Sequence, residues 1–234
     1  MSGAPPLIIL MPGFDGTGRL FDPLLECAPD GSRFLVIRYE DDYSTLEQHV
    51  GHVMNRLPQD RDVILVAESF SSLVALRMIE NADARIQGVL IVAGFIRTPV
   101  PYLLGLARLF PPDFIRLFST KRFLTRPFFR AHGLSGDVLE LLDSVTHNLP
   151  GAVIRNRFRI IAEAKNFPSF QSKVPMGYLR AKHDLVVHKS ALRDYQNFAP
   201  DLFVREVSGP HFILQAQPRA CYGIIEEFCS RVTD

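Results

Sequence analysis

Several signals are missing from this sequence, and each absence closes off a class of function. Cysteine is scarce: Cys27, Cys221 and Cys229 are odd in number and lack metal-type spacing, so neither a disulfide framework nor a zinc site is expected. Buried free thiols in a reducing, cytoplasmic compartment are the ordinary reading. An excess of one charge is missing too. The 26 Lys and Arg face 25 Asp and Glu, and a formal net charge of +1 gives no global field for nucleic acid or an anionic bilayer. No apolar run approaches the ~20 residues of a membrane span. The first six residues carry no basic stretch leading into an apolar one, so no secretory signal is expected. Gly13, Gly16 and Gly18 crowd one turn, yet neither G-x-G-x-x-G nor G-x-x-x-x-G-K-[ST] is present. Nucleotide binding is therefore disfavoured, and no cofactor or metal is expected.

What the chain does have is alternation. Short apolar, β-branched runs at Leu7–Met11, Phe34–Tyr39, Val63–Ala67, Gly88–Val92, Met176–Ala181 and Leu202–Val207 are separated by amphipathic stretches, the pattern of βα units and a parallel sheet. The runs are almost continuously hydrophobic, which predicts a sheet covered on both faces. Ser44-Thr45-Leu46-Glu47 resembles a capping box ahead of the stripe Leu46, Val50, Val53 and Leu57. Ser71 to Glu80 is apolar nearly all round, and Cys221, Ile224, Ile225 and Phe228 keep the spacing of a docked C-terminal helix.

Between Ile96 and Phe167 the alternation stops and helix follows helix, broken by Pro99, Pro101, Pro111, Pro112 and Pro127. Val138, Leu141, Leu142 and Val145 form its clearest stripe. The expected organisation is an α/β core of residues 1–95 and 168–234 with a helical cap, 96–167, inserted after the fourth strand. The fold class is a mainly parallel six-stranded sheet with helices on both faces.

Three segments fall at the C-terminal ends of predicted strands, where open α/β sheets bind ligands. In Val66-Ala67-Glu68-Ser69-Phe70-Ser71-Ser72, a serine sits between an apolar strand and an apolar helix. A sharp turn there projects its hydroxyl above the sheet and frees the next amide. The turn needs small residues two before and two after the serine; Ala67 and Ser71 replace the glycines of G-x-S-x-G. Taken alone, Ser69 is as readily a helix N-cap. In Lys182-His183-Asp184-Leu185, an aspartate follows a strand, where a carboxylate can orient an imidazole, although a lone loop Asp is usually a turn residue. In Ser208-Gly209-Pro210-His211, a histidine follows the last strand; any single His is more often structural, and His49, His52, His132, His147 and His188 are read that way, with His183 a solvated loop residue. The conjunction decides. Ser69, Asp184 and His211 occur in the chain order expected for a nucleophile, acid and base on such a sheet. The glycine turn after the first strand then places the Phe14 amide beside that of Phe70 as an oxyanion hole. Gly13, Asp15, Phe95 and Phe212 are candidate substrate contacts, with an Asx-type turn the simpler role for Asp15.

These motifs, in register over nearly the whole chain, resemble the α/β-hydrolase superfamily. Pro12-Gly13 stands where that family carries its His-Gly oxyanion motif, and Pro218, seven residues after His211, matches a common feature of the histidine loop. The resemblance implies a Ser-His-Asp carboxylesterase acting through an acyl-enzyme, with the family's first antiparallel strand pair lacking. The small size and helical cap are similar to the carboxylesterases that include pimeloyl-acyl-carrier-protein methyl esterases. An acyl-CoA or acyl-carrier-protein thioesterase, a triad-dependent lyase and a non-catalytic hydrolase-fold binding protein are the alternatives.

The cap holds Arg97, Arg108, Arg116, Arg122, Arg126, Arg130, Arg155, Arg157 and Arg159 with Lys121 and Lys165, against five Asp and Glu. That is a net +6 there and −5 elsewhere. A basic surface for an acidic carrier, acyl-carrier protein or CoA, is one reading; a solvated helical face is the plainer one. Phe95, Phe110, Phe114, Phe118, Phe123, Phe128, Phe129 and Phe158 fasten the cap to the sheet, some of them lining an apolar acyl pocket. The expected ligand is a small to medium acyl ester or thioester.

Overall fold

A computed structural model describes residues 5–29, 33–80, 83–98, 127, 130–131, 133–164 and 171–233. Six strands form one sheet: β1 (Leu7–Met11), β2 (Phe34–Val36), β3 (Val63–Glu68), β4 (Ile86–Val92), β5 (Met176–Ala181) and β6 (Phe203–Val207). Their order is β2-β1-β3-β4-β5-β6 and every pair is parallel. Around it lie the helices α1 (Asp22–Leu25), α2 (Leu46–Met54), α3 (Ser71–Glu80), α4 (Gly136–His147), α5 (Gly151–Glu163), α6 (Ala191–Phe198), α7 (Ile213–Ala216) and α8 (Pro218–Thr233).

The unbroken apolar strands have the reason the sequence suggests. Side chains alternate across a strand. Ile9, Met11, Leu65, Ala67, Val89 and Ile91 thus face α2, α3 and α6 on one side of the sheet. Ile8, Leu10, Ile64, Val66, Leu90 and Val92 face α1 and α8 on the other. The Phe228 ring of α8 lies over two strand glycines; a Cβ built on Gly88 or Gly177 would come within 3.2 Å or 3.0 Å of it.

Besides one-residue shifts at the end of β3 (Glu68 for Ala67) and the start of β6 (Phe203 for Leu202), three boundaries differ from the sequence reading. β2 stops at Val36 rather than Tyr39, because the chain bends toward the turn after β1 and the Tyr39 amide donates to Gly16 O at 2.9 Å instead of extending the ladder. β4 starts two residues early, at Ile86, through a register shift opposite Val63 and Ile64. The capping box of α2 is Thr45 with Gln48, not Ser44 with Glu47: Gln48 N–H donates to Thr45 Oγ1 at 3.2 Å, while Gln48 Oε1 accepts from the amides of Ser44 and Thr45. From the third position of the helix the Gln48 amide oxygen reaches both free N–H groups, and Glu47 instead faces Arg77 at 3.7 Å.

In the inserted stretch, α4 starts on Ser135, whose hydroxyl accepts from Val138 N–H, and buries Val138, Leu139, Leu142 and Val145, with Leu141 half-buried. Phe110, Phe114, Phe118, Phe123, Phe128, Phe129, Arg108, Arg116, Arg122, Arg126, Lys121, Lys165, His132 and the prolines at 99, 101, 111 and 112 lie outside the described residues. Among the described residues no helix is long and apolar enough to cross a membrane, and Cys27, Cys221 and Cys229 are free thiols, the latter two buried.

Strand order also locates the site. The chain steps from β1 outward to β2, then returns past β1 to β3 and continues in one direction. The turns leaving β1 and β3 therefore diverge, and this switch point is where such sheets open a crevice.

Removing the ring over the two glycines tests the packing: Phe228→Ala should lower the unfolding free energy by about 3–5 kcal/mol, read from urea denaturation.

Candidate active site

β3 runs fully buried to Glu68, and α3 begins three residues later at Ser71. Ser69 makes the turn with φ 48°. A non-glycine residue there carries strain of order 1–3 kcal/mol and persists only when its surroundings hold it. They do. The Ser69 N–H donates to Val92 O of β4 at 2.9 Å, and Ser69 O accepts from Ser72 N at 3.0 Å and Ser72 Oγ at 2.6 Å. The small residues flanking the turn have separate uses. Ala67 is wholly enclosed in the core. Ser71 Oγ donates to Pro12 O at 2.5 Å and, its own hydrogen so engaged, accepts from Tyr39 O–H at 2.7 Å. Serine in place of glycine thus ties the elbow to the turn after β1.

The three residues selected from sequence come together. Ser69 Oγ lies 2.9 Å from His211 Nε2, and His211 Nδ1 lies 2.8 Å from Asp184 Oδ2. Asp184 is itself fixed, its Oδ1 accepting from the amides of Val186 at 2.7 Å and Val187 at 2.8 Å. The two loops are joined by His183 N–H donating to Gly209 O at 2.9 Å. His183 contacts Ser208 Oγ rather than the serine, and His49 and His52 are buried in α2.

The turn after β1 closes with Gly16 N–H donating to Gly13 O at 3.2 Å, which puts Phe14 and Asp15 at its corners. Among the described residues the Phe14 and Phe70 amides make no backbone hydrogen bond. A Cβ built on Gly13 would lie 3.7 Å from Ser69 Cβ, so this turn adjoins the serine directly. Asp15 Oδ2 accepts from Thr17 N–H at 2.8 Å and Thr17 Oγ1–H at 2.5 Å, an Asx turn. Phe212 stands edge-on to His211 with ring centres 5.6 Å apart. Phe95 is 3% exposed and packs in the core, its backbone engaged by Ser72 Oγ.

Sequence reasoning missed a buried polar layer behind these residues. Glu68 Oε1 accepts from Gln215 Nε2 at 3.1 Å, and Gln215 Nε2 also donates to Leu20 O at 3.0 Å. Glu68 Oε2 and Asp15 Oδ1 are buried with no hydrogen-bond partner among the described residues. Arg157 of α5 is 1% exposed and donates to Phe14 O at 2.5 Å. It is not part of a solvated basic face, unlike the exposed Arg155 and Arg159. A signal for it existed: Val153, Arg157, Ile160 and Ile161 share the i, i+4, i+7, i+8 stripe, so the arginine stands on an apolar face. Glu68 likewise ends a run of five apolar strand residues.

Electrostatics follow from burial and neighbours. Burial first, then the Asp15 carboxylate, pushes the Glu68 carboxyl up to about 7, against the smaller opposing pull of Gln215, His211 and the Gly13 amide. For His211, burial alone would work against the imidazolium. Asp184, by charge and hydrogen bond, with Glu68 adding charge, carries it above the ordinary histidine value. His49 is held down to about 4 by burial, so it is neutral in the fold.

Because Glu68 binds its proton more tightly folded than unfolded, its contribution to stability is complete below the ordinary 4.5 and is lost as pH rises through about 7. Glu68→Gln, which keeps the bond from Gln215 through its amide oxygen, should therefore melt higher than the parent at about pH 8, by on the order of 1–3 kcal/mol. The two proteins should converge near pH 4, as thermal melts across pH would show.

No family model and no curated protein matches this sequence. Solved structures do. An enol-lactonase from Burkholderia xenovorans LB400 superposes with a TM-score of 0.73 at 16% identity, covering 97% of this chain and 92% of that one. The esterase EaEST from Exiguobacterium antarcticum gives 0.75 at 10% identity, with 98% and 93% covered. Est816, described as an N-acyl homoserine lactone degrading enzyme, gives 0.72 at 15% identity, with 97% and 94% covered. With its parallel sheet, its serine elbow and these likenesses over nearly the whole length, the chain has the α/β-hydrolase fold.

Proposed function

We propose that the protein is a serine hydrolase that cleaves carboxylic esters of small to medium acyl groups through an acyl-enzyme. The observation that carries this reading is the continuous relay from Asp184 Oδ2 through His211 to Ser69 Oγ, at 2.8 Å and 2.9 Å, on a strained elbow at the switch point of the sheet. A histidine bonded at both nitrogens, to a carboxylate and to a hydroxyl, takes the proton of that hydroxyl as the oxygen attacks a carbonyl carbon. Asp184 keeps the Nδ1–H tautomer and stabilises the imidazolium that results. The amides of Phe14 and Phe70, without a backbone hydrogen bond among the described residues, receive the negative charge that develops on the carbonyl oxygen. Collapse of the tetrahedral species breaks the bond to the alcohol, which leaves with the proton held on His211 Nε2. Water then repeats the sequence on the acyl-enzyme, with His211 again taking and returning one proton, to give the free acid and the original serine.

Phe14 and Phe158, 4.8 Å apart between ring centres, pack with Leu149, Val153 and Ile154 into a small apolar cluster where the inserted segment meets the turn after β1. This places apolar surface beside one of the two oxyanion donors and supports an apolar acyl group. Of the described cap arginines, Arg157 faces inward, Arg159 donates to Ser44 O and Arg97 approaches Asp194 at 3.6 Å, while Arg130 and Arg155 are exposed.

Ser69→Ala should reduce hydrolysis of short p-nitrophenyl esters by about 10⁴-fold or more while the melting temperature stays at or above the parent's. A fluorophosphonate probe should label the parent on Ser69 and not the variant; retained activity in the variant would remove the reading.

The base must be neutral to act, so kcat/KM should rise with pH through a single limb lying above the ordinary histidine value. Glu68→Gln removes a charge that favours the imidazolium, and the limb should move to lower pH in a pH–rate profile.

A further inference from the structure

Between Pro12 and Gly16, four backbone carbonyls of the turn after β1 are each taken by a different donor. Pro12 O accepts from Ser71 Oγ at 2.5 Å, Gly13 O from Gly16 N at 3.2 Å and Gly16 O from Tyr39 N at 2.9 Å. Phe14 O accepts from Arg157 Nη1 at 2.5 Å. The first three donors belong to the sheet core and the turn itself. The fourth comes from α5, 143 residues along the chain, in the segment inserted after β4.

Arg157 does more than reach a carbonyl. Its guanidinium carbon stands 6.0 Å from the centre of the Phe70 ring and 5.9 Å from that of Tyr39, within cation–π range of both. It also occupies the space over Gly16. That residue has φ 70°, and a Cβ built on it would come within 2.7 Å of the guanidinium carbon. Among the described residues the guanidinium forms no ion pair within 4.0 Å, although Asp15, Tyr39 and Asp41 favour its charge from further away. Burying a cation without a paired carboxylate is costly, and an apolar residue of similar length would fasten α5 to the core at less expense in desolvation. What an apolar residue cannot do is touch both Phe14, through its carbonyl, and Phe70, through its ring. Those are the two residues whose amides are the oxyanion donors.

We propose that Arg157 is a positioning residue of the oxyanion hole, joining Phe14 O to the Phe70 ring so that the spacing of the two amides depends on where α5 sits. The inference rests on the ester-hydrolase reading above. Fixing Phe14 O fixes the peptide plane that follows Phe14, and the Gly13–Gly16 turn transmits this to the plane that carries the Phe14 N–H. A hydrogen-bond donor displaced by a fraction of an ångström stabilises the oxyanion poorly while leaving substrate binding almost unchanged. The inserted segment is thereby coupled to the chemical step and not only to the shape of the pocket.

The test compares the parent with Arg157→Met, Arg157→Lys and, as a control one helical step away, the exposed Arg159→Met. Each is assayed for kcat and KM on a p-nitrophenyl ester and for inhibition by a trifluoromethyl ketone, which Ser69 converts to a hemiketal bearing the oxyanion. For Arg157→Met, kcat and ketone affinity should fall together by about 10–100-fold, with KM within about threefold of the parent. Arg157→Lys should lie between, since an ammonium can bond the carbonyl but lacks the planar fork that also spans the Phe70 ring. Arg159→Met should match the parent in both. A purely structural Arg157 would lower the melting temperature or raise KM while kcat per folded molecule and ketone affinity held, and that result overturns the assignment. Should Arg157→Met fail to fold, parental kcat and ketone affinity in Arg157→Lys overturn it equally. A parent that neither hydrolyses esters nor binds the ketone overturns the hydrolase reading and this one with it. An active parent with unaffected variants sinks the Arg157 assignment alone.

Discussion

The hydrogen bond from the Ser69 amide to Val92 O, 2.9 Å long, is where the strand ladder and the candidate chemistry meet. β3 and β4 run in register up to Glu68 and Val92. The next amide of β3 still finds its partner on β4 although Ser69 itself has turned to φ 48°. The serine is thus held in a conformation that an unconstrained residue would leave, and its hydroxyl is delivered to His211 without a loop that must be ordered first. The stiffness of a central parallel sheet, buried on both faces, makes such a geometry persistent.

Around that point the sheet edge is tied together by side chains rather than by further ladder. Ser71 reaches back to Pro12, Gln215 bridges Glu68 and Leu20, and Arg157 closes over Phe14. Each bond links segments far apart in sequence, so the turn after β1, the elbow and the histidine loop are fixed relative to one another. The arrangement carries an electrostatic cost: a buried carboxyl that prefers its proton and a buried guanidinium beside a single carbonyl. Natural sequences depart from the rule of apolar interiors chiefly at sites of function, and these two stand at residues that flank the candidate site, Glu68 beside Ser69 and Arg157 on Phe14.

Much of this was legible beforehand. β1 and β5 appear at their predicted limits because a strand buried on both faces leaves an uninterrupted apolar record. The elbow, the acid loop and the histidine loop were identifiable from residue type at strand ends, even with Ala67 and Ser71 in place of glycines. β2 was overread by three residues: Ile37 and Tyr39 are buried, as strand residues are, but their backbone serves the turn after β1. The α2 cap was misplaced by one residue, because Ser-x-x-Glu and Thr-x-x-Gln overlap in the sequence and only geometry chooses between them.

The sequence by itself determined the alternation that makes a parallel sheet, the order in which serine, aspartate and histidine arrive, and the glycine-rich turn that faces them. These are local properties: apolar period, small residues at a crowded turn, loop residues at strand ends. Only the tertiary structure decided which arginine of the inserted segment turns inward, and that Glu68 rather than a solvent-facing carboxylate stands behind the histidine. Those outcomes depend on partners up to about 150 residues away in the chain, such as the 147 that separate Glu68 from Gln215. A buried polar or charged group needs hydrogen-bond partners from the packed fold, and a pattern along the chain can flag the group without recording which distant partner it will meet.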